Sequence, residues 1–206
     1  MRGLIIKDLL NLKKSLSTIL VLIVFYSFIA FTSEDPSMLI AMIALVLTMM
    51  TITSITYDDL AKWDKYALAM PISRKDMVLS KYVLSIMLAL TGVIISTAIA
   101  YIMLTIKSVD ISNLLLTSYA IFLISLTFSS IVLPLVFKFG VEKSRMMMMA
   151  VIGAPMALGY ILYQLGINLP SEEVVLSTLK MSPLIVIAIL YLSFYISYRI
   201  FKNKDM

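Results

Sequence analysis

Residues 82–106 read YVLSIMLALTGVIISTAIAYIMLTI, bounded by Lys81 and Lys107 with no charged side chain between them. As a helix rising 1.5 Å per residue, this stretch extends about 37 Å, more than the roughly 30 Å hydrocarbon core of a bilayer. In hydrocarbon the backbone has no water to bond with, so a helix is the form that satisfies it. Five further stretches have the same character: residues 15–32, 38–57, 113–137, 146–168 and 181–198. Each runs for at least 18 residues without Asp, Glu, Lys, Arg or His. The pattern predicts an all-α integral membrane protein, one membrane domain over residues 1–206 with six transmembrane helices.

The segments between these stretches sort by charge. The first, third, fifth and seventh hold 15 of the 17 Lys and Arg residues, among them Lys7, Lys62, Lys65, Arg74, Lys75 and Lys81. The positive-inside rule makes that side cytoplasmic and puts both termini there. The chain is therefore expected to be multi-pass in the cell membrane. Its net charge of +5 then reflects topology and contact with anionic lipid headgroups, and no nucleic acid is implied. The basic start and apolar run at 15–32 superficially resemble a signal peptide. The run is too long and no A-x-A-like cleavage site follows, so it reads as a retained first helix.

Absences narrow the chemistry. There is no cysteine and no histidine, so ordinary zinc ligation and Ser–His catalysis have no residues to work with. No phosphate-binding loop occurs; Gly140-Val-Glu-Lys143-Ser144 lacks the first glycine and the length. The six stretches contain no carboxylate, where ion-coupled transporters usually keep one. Uphill transport would need energy from another subunit, and the chain itself is not expected to be an enzyme. Glu172 and Glu173 lie outside a span and do not change this.

Local patterns fill in the plan. Ile5, Leu9, Leu12 and Leu16 share a face opposite Lys7, Asn11 and Lys14, predicting an amphipathic helix over residues 1–14 along the cytoplasmic headgroup plane; a plain charged leader is the other reading. Gly92, Ser96 and Ala100 form a small-xxx-small row, as do Gly153 and Ala157, leaving faces for close packing. Pro155 is expected to kink the fifth span. Hydroxyls at Thr48, Thr51, Thr53, Ser54 and Thr56, and at Ser118, Ser125 and Ser129, suit bonds to neighbouring helices or a polar path. Polar turns are expected at 33–37 and 107–112. The segment 169–180 predicts a short outer interfacial helix, capped by Ser171 with Glu172 and Glu173 in its first turn. Ser182 and Pro183 then start the sixth span.

The most structured loop is residues 58–81. Leu60, Trp63, Ala67 and Met70 repeat at helical spacing, opposite Asp59, Lys62 and Lys65. Pro71 stops that helix, and Ser73 with Asp76 forms a capping box that starts the next one, running into the third span. Trp63 and Tyr66 prefer the membrane face. Such a corner either presses on a partner or merely orients two spans.

The residues Trp63-Asp-Lys-Tyr66-Ala-Leu68, Pro71-Ile-Ser73-Arg74-Lys75, Val78 and Lys81-Tyr82 resemble the signature of small bacterial ABC-2-type exporter permeases, a group that includes the permease subunits of phenol-soluble modulin exporters. The six-span layout extends the resemblance along the whole chain. Met70 stands where leucine is more usual. The resemblance implies a permease subunit without nucleotide chemistry, paired with cytoplasmic ABC ATPases. ATP and Mg would be held by those ATPases, and none in this chain. It implies two permease copies and two ATPases. It also implies that the helix between spans two and three is the coupling helix, with Asp59, Lys62, Trp63, Tyr66, Pro71, Ser73 and Arg74 as the ATPase-coupling positions. Sparse outer loops and a greasy interior suit export of hydrophobic or amphipathic cargo such as peptides. The alternative is a six-helix substrate-capture subunit of an ATP-driven vitamin importer.

Overall fold

The computed structural model describes residues 2–32, 36–70, 72–109, 111–165 and 172–203. The expected outer turn at 33–35, the Pro71 stop, Asp110 and the Ser171 cap lie outside the described residues. Among the described residues seven α-helices follow one another: α1 (Arg2–Leu12), α2 (Leu16–Thr32), α3 (Ser37–Leu60), α4 (Trp63–Leu68), α5 (Arg74–Lys107), α6 (Leu114–Gln164) and α7 (Glu172–Lys202). A 3-10 turn at Lys13–Ser15 joins α1 to α2. Five helical runs are long and apolar enough to cross a membrane: Arg2–Thr32, Ser37–Leu60, Arg74–Lys107, Leu114–Gln164 and Thr178–Lys202.

The longest run absorbs two of the six expected spans. A straight helix over α6 would extend about 76 Å, well over twice a bilayer core. The backbone breaks instead at Gly140, with φ 77° and ψ 170°. That region is essentially closed to residues with a Cβ. A single residue thus does what a loop was expected to do. Pro134 and Pro155 both lie inside helical backbone, and the departure from helical dihedrals is at Gly140, not at Pro155.

Prolines survive here because hydroxyls repair the damage. Pro134 cannot bond to the carbonyl of Ser130, and Ser193 of α7 donates to that carbonyl at 2.5 Å. Pro183 likewise leaves the Leu179 carbonyl free, and Ser182 donates to it at 2.7 Å. Hydroxyls re-satisfying freed carbonyls are what allow proline inside membrane helices. Consequently Ser182 and Pro183 do not start a helix. From Glu172 onward α7 is continuous into the last span, so the separate outer helix is corrected to an extension of that span.

The most extensively packed pair is α3 and α5. Gly92 makes it possible: a Cβ there would lie 3.1 Å from the Ala44 Cα and 3.2 Å from the Leu47 Cβ. Ser96 and Ala100 are buried on the same face. This small-residue row serves the close packing expected of it, inside the chain, and is not available to a second copy. Gly153, by contrast, has nothing near its missing Cβ. Most clustered hydroxyls bond their own helix: Thr48 to Ala44, Thr56 to Ile52, Ser118 to Leu114, Ser125 to Ile121 and Ser129 to Leu126. The expected pairing with neighbouring helices holds for Thr97 with Ser118 at 2.8 Å and, as shown below, for Ser54.

α1 is rotated from expectation. Its buried residues are Leu4, Asp8 and Leu12, while Leu9 and Leu16 are exposed. It packs on α3 and α5. Lys7, assigned to the polar face, turns into the bundle instead. The cause is electrostatic, as the next subsection shows.

Candidate functional site: the corner helix and an ionic cluster beneath it

The corner begins where α3 ends. Lys62 adopts a left-handed backbone, φ 49° and ψ 37°, and this breaks the helix before α4. The corner helix is therefore shorter than expected: Asp58, Asp59 and Leu60 belong to α3, and α4 spans only Trp63–Leu68. The four-residue greasy face divides accordingly. Trp63 and Ala67 pack onto the core with Met77, Tyr82 and Phe201, whereas Leu60 is 76% exposed and Met70 is exposed as well. Beyond α4, Ser73 caps α5 as the sequence predicts. The Asp76 amide donates to its Oγ at 3.0 Å, and the Ser73 hydroxyl donates to Asp76 Oδ2 at 2.7 Å. One orphan backbone donor of the helix start, the Asp76 amide, is thereby closed, and the second bond ties the two side chains together.

The seven carried-over positions do not form one surface. Tyr66 stands out at 64% exposure, and Asp59, Lys62 and Ser73 are also exposed. Trp63 faces inward, its ring 4.5 Å from the Lys7 ammonium. Arg74 donates through a guanidinium nitrogen to the backbone carbonyl of Lys202, at the C-terminal end of α7, where a cation suits the helix dipole. Pro71 lies outside the described residues. Trp63 and Arg74 are thus turned toward the chain's own residues, whereas Tyr66, Lys62, Asp59 and Ser73 are solvent-exposed.

Beneath the corner lies a cluster that the sequence reading missed. Lys81 of α5 is 7% exposed and spends all three ammonium protons. They go to Asp8 Oδ2 at 2.9 Å, Ser54 Oγ at 2.9 Å and Asp58 Oδ2 at 2.6 Å. Lys7 donates to Asp58 Oδ1 at 2.6 Å and lies 3.1 Å from Asp8 Oδ1, an ion pair without hydrogen-bond geometry. Two cations face two carboxylates, so the cluster is neutral. Asp8 is 0% exposed, at the junction of α1, α3 and α5. Single removal of a partner from such a group strands a charge and costs about 3–5 kcal/mol. This is why α1 turns its Asp8 face inward.

The signal was present. Asp8 falls on the Leu4–Leu12 stripe at i, i+4, i+8, and Asp58 and Lys81 each abut a charge-free stretch. Counting Lys7 and Lys81 as headgroup charges hid it. Chemically the cluster holds no nucleophile–base pair. Among the described residues no group of His, Cys, Asp and Glu could hold a metal ion.

A second polar knot lies on the other side of α5. The Tyr82 hydroxyl is 2.6 Å from Ser193 Oγ and 2.8 Å from Ser197 Oγ. Ser193 has already given its proton to the Ser130 carbonyl, which accepts only. The order is therefore fixed: Ser197 donates to Tyr82, Tyr82 to Ser193, and Ser193 to Ser130.

The profile of the ABC-2 family transporter proteins matches residues 3–202, nearly the whole chain and every element just described. The chain belongs to the ABC-2 transporter family. Comparison with curated proteins and with solved structures gave no match. Membership makes this a multi-pass membrane protein and the permease component of an ABC transporter, associated with an ATP-binding subunit. Such ABC-2 permeases are typically non-catalytic membrane subunits.

Proposed function

We propose that this ABC-2 permease exports hydrophobic or amphipathic cargo, such as peptides, driven by a separate cytoplasmic ATPase docked on α4. The observation that carries the reading is the family match over residues 3–202, with the corner helix inside it. The break at Gly140 divides α6 into two limbs, giving six crossings with both termini on the basic, cytoplasmic side. α4 then projects its exposed Tyr66 toward the cytoplasm, and the exposed Asp59 and Lys62 precede it in the chain. ATP-driven closure of two partner subunits would press there and shift the bundle between two packed states. A cavity of about 490 Å³ between α3, the two limbs of α6 and α7 supports the cargo assignment. Its lining, including Leu45, Phe128, Ile152, Pro155 and Val186, is almost entirely carbon. Two permeases and two ATPases complete the transporter, and Gly153 on the second limb of α6 offers an unoccupied small-residue surface for the second copy.

The test is co-expression with an ABC ATPase encoded beside this chain. Truncating an exposed aromatic anchor at an interface costs about 2 kcal/mol or more, roughly a thirtyfold loss of affinity. Tyr66→Ala should therefore lose the ATPase on co-purification while inserting normally. Retention of wild-type partner binding by that variant would remove α4 from the docking role. Transport in inverted vesicles reports direction: accumulation of an amphipathic peptide supports export, and ATP-dependent loss of a preloaded small ligand supports the importer.

A further inference from the structure

We infer that Lys81 is a positioning residue for coupling: it fixes the N-terminal helix α1 to the end of α3, so that α1 and the corner move as one body. The inference rests on the coupling reading above and adds to it a helix and four charges.

The path is continuous. α4 is short, and its link to α3 is broken at Lys62, so the backbone alone transmits little of a push on α4. Trp63 of α4 lies over the ammonium of Lys7, which is on α1. Lys7 and Lys81 share Asp58, the last buried residue of α3. Lys81 also holds Asp8, one residue beyond Lys7 on α1. α4, α1, α3 and α5 thus meet at two ammonium groups and two carboxylates. Hydrogen bonds to these groups run in defined directions, unlike apolar contacts, which slide. A buried ionic group is weak evidence for stability, and its best-attested use is to set register.

A ligand-site reading fares worse. All three Lys81 protons are used, the charges cancel, and the cavity beside the cluster, lined also by Asp59, Trp63 and Asp64, has only about 40 Å³.

The test uses the cysteine-free chain in lipid vesicles. Spin labels at Leu10→Cys on α1 and Lys75→Cys on α5, both exposed positions, report the spacing of the two helices. The parent should give one narrow distance distribution, and Lys81→Met a broadened one. If Lys81→Met does not insert, Lys7→Met at the rim of the cluster carries the same comparison. An unchanged distribution in the inserted variant overturns the inference without reference to any ATPase. The second arm replaces all four charges by apolar residues, Asp8→Leu and Asp58→Leu with Lys7→Met and Lys81→Met, which removes the buried charges without stranding one. Thermal stability should stay at the parent value and the ATPase should still bind, while its stimulated turnover falls at least tenfold. Parent-level turnover in that variant means the cluster is only structural and overturns the inference. Failure of the unmutated chain to bind any ABC ATPase would instead sink the proposed function, and the distance measurement would still decide whether Lys81 holds α1.

Discussion

The repair of Pro134 by Ser193 predicts a coupling between two residues on different helices. In α6 the Ser130 carbonyl has no amide to accept from, and its donor is the Ser193 hydroxyl at 2.5 Å. Ser193→Ala strands that carbonyl and removes the acceptor of the Tyr82 proton. Each buried polar group left unsatisfied costs about 1–3 kcal/mol. Interhelical hydrogen bonds in membranes average only about 0.6 kcal/mol, because alternative partners are usually at hand. Here the carbonyl has none in its own helix, so a loss at the upper end of that range or above it is expected, about 1.5–3 kcal/mol. Pro134→Ala returns an N–H aimed at the same carbonyl. In that background Ser193→Ala should cost at least about 1 kcal/mol less, because only the Tyr82 contact is then lost.

The assay is a double-mutant cycle on reversible unfolding in mixed micelles. Ser197→Ala serves as control, since Ser197 donates to Tyr82 and never touches the freed carbonyl; its cost should be the same with proline or alanine at 134. Additive behaviour of Ser193→Ala and Pro134→Ala, within about 0.5 kcal/mol, would refute the repair argument.

Glycine substitutions should separate three ways in thermal unfolding: Gly140→Ala loses about 1–3 kcal/mol to backbone strain alone, whereas Gly153→Ala is neutral or gains up to about 1 kcal/mol from helix propensity. Gly92→Leu should prevent folding, because the Ala44 backbone at 3.1 Å cannot yield to a branched side chain. For topology, an impermeant thiol reagent applied to intact cells should label Glu172→Cys and spare Lys65→Cys; the reverse pattern would invert the bundle. If the second limb of α6 meets a second permease, Gly153→Leu should convert a dimer to a monomer by native mass spectrometry while leaving the monomer's stability unchanged.

What sequence could and could not reveal follows from how local each signal is. Hydrocarbon length and charge exclusion are properties of a stretch by itself, so the membrane helices were legible. The Ser73–Asp76 cap was legible for the same reason: it spans four residues. The single-residue break at Gly140 was anticipated only as a charged gap, because nothing marks one glycine among its neighbours as left of the helical region. The ionic cluster needed tertiary information. Lys7 and Lys81 look identical to headgroup lysines until Asp8 and Asp58 are placed beside them. Once they are, a one-residue rotation of α1 follows, and the Ile5–Leu9 stripe gives way to Leu4–Asp8–Leu12.

That rotation exposes the organising residue pair of the bundle. Lys81 and Tyr82 are adjacent in sequence, and on a helix adjacent side chains diverge by about 100°. Lys81 reaches α1 and α3, and Tyr82 reaches α7 and through Ser193 the proline-freed carbonyl of α6. About two turns beyond the capped start of α5, a single point of the chain is therefore hydrogen-bonded, directly or at one remove, to four other helices. Apolar packing alone would hold these helices together but would leave their relative register soft, since lipid tails compete equally well for an apolar face. Placing two oriented polar networks on consecutive residues makes the start of α5 the element whose displacement the other helices must follow. On the proposed docking of the ATPase at α4, its push would act just upstream of that point.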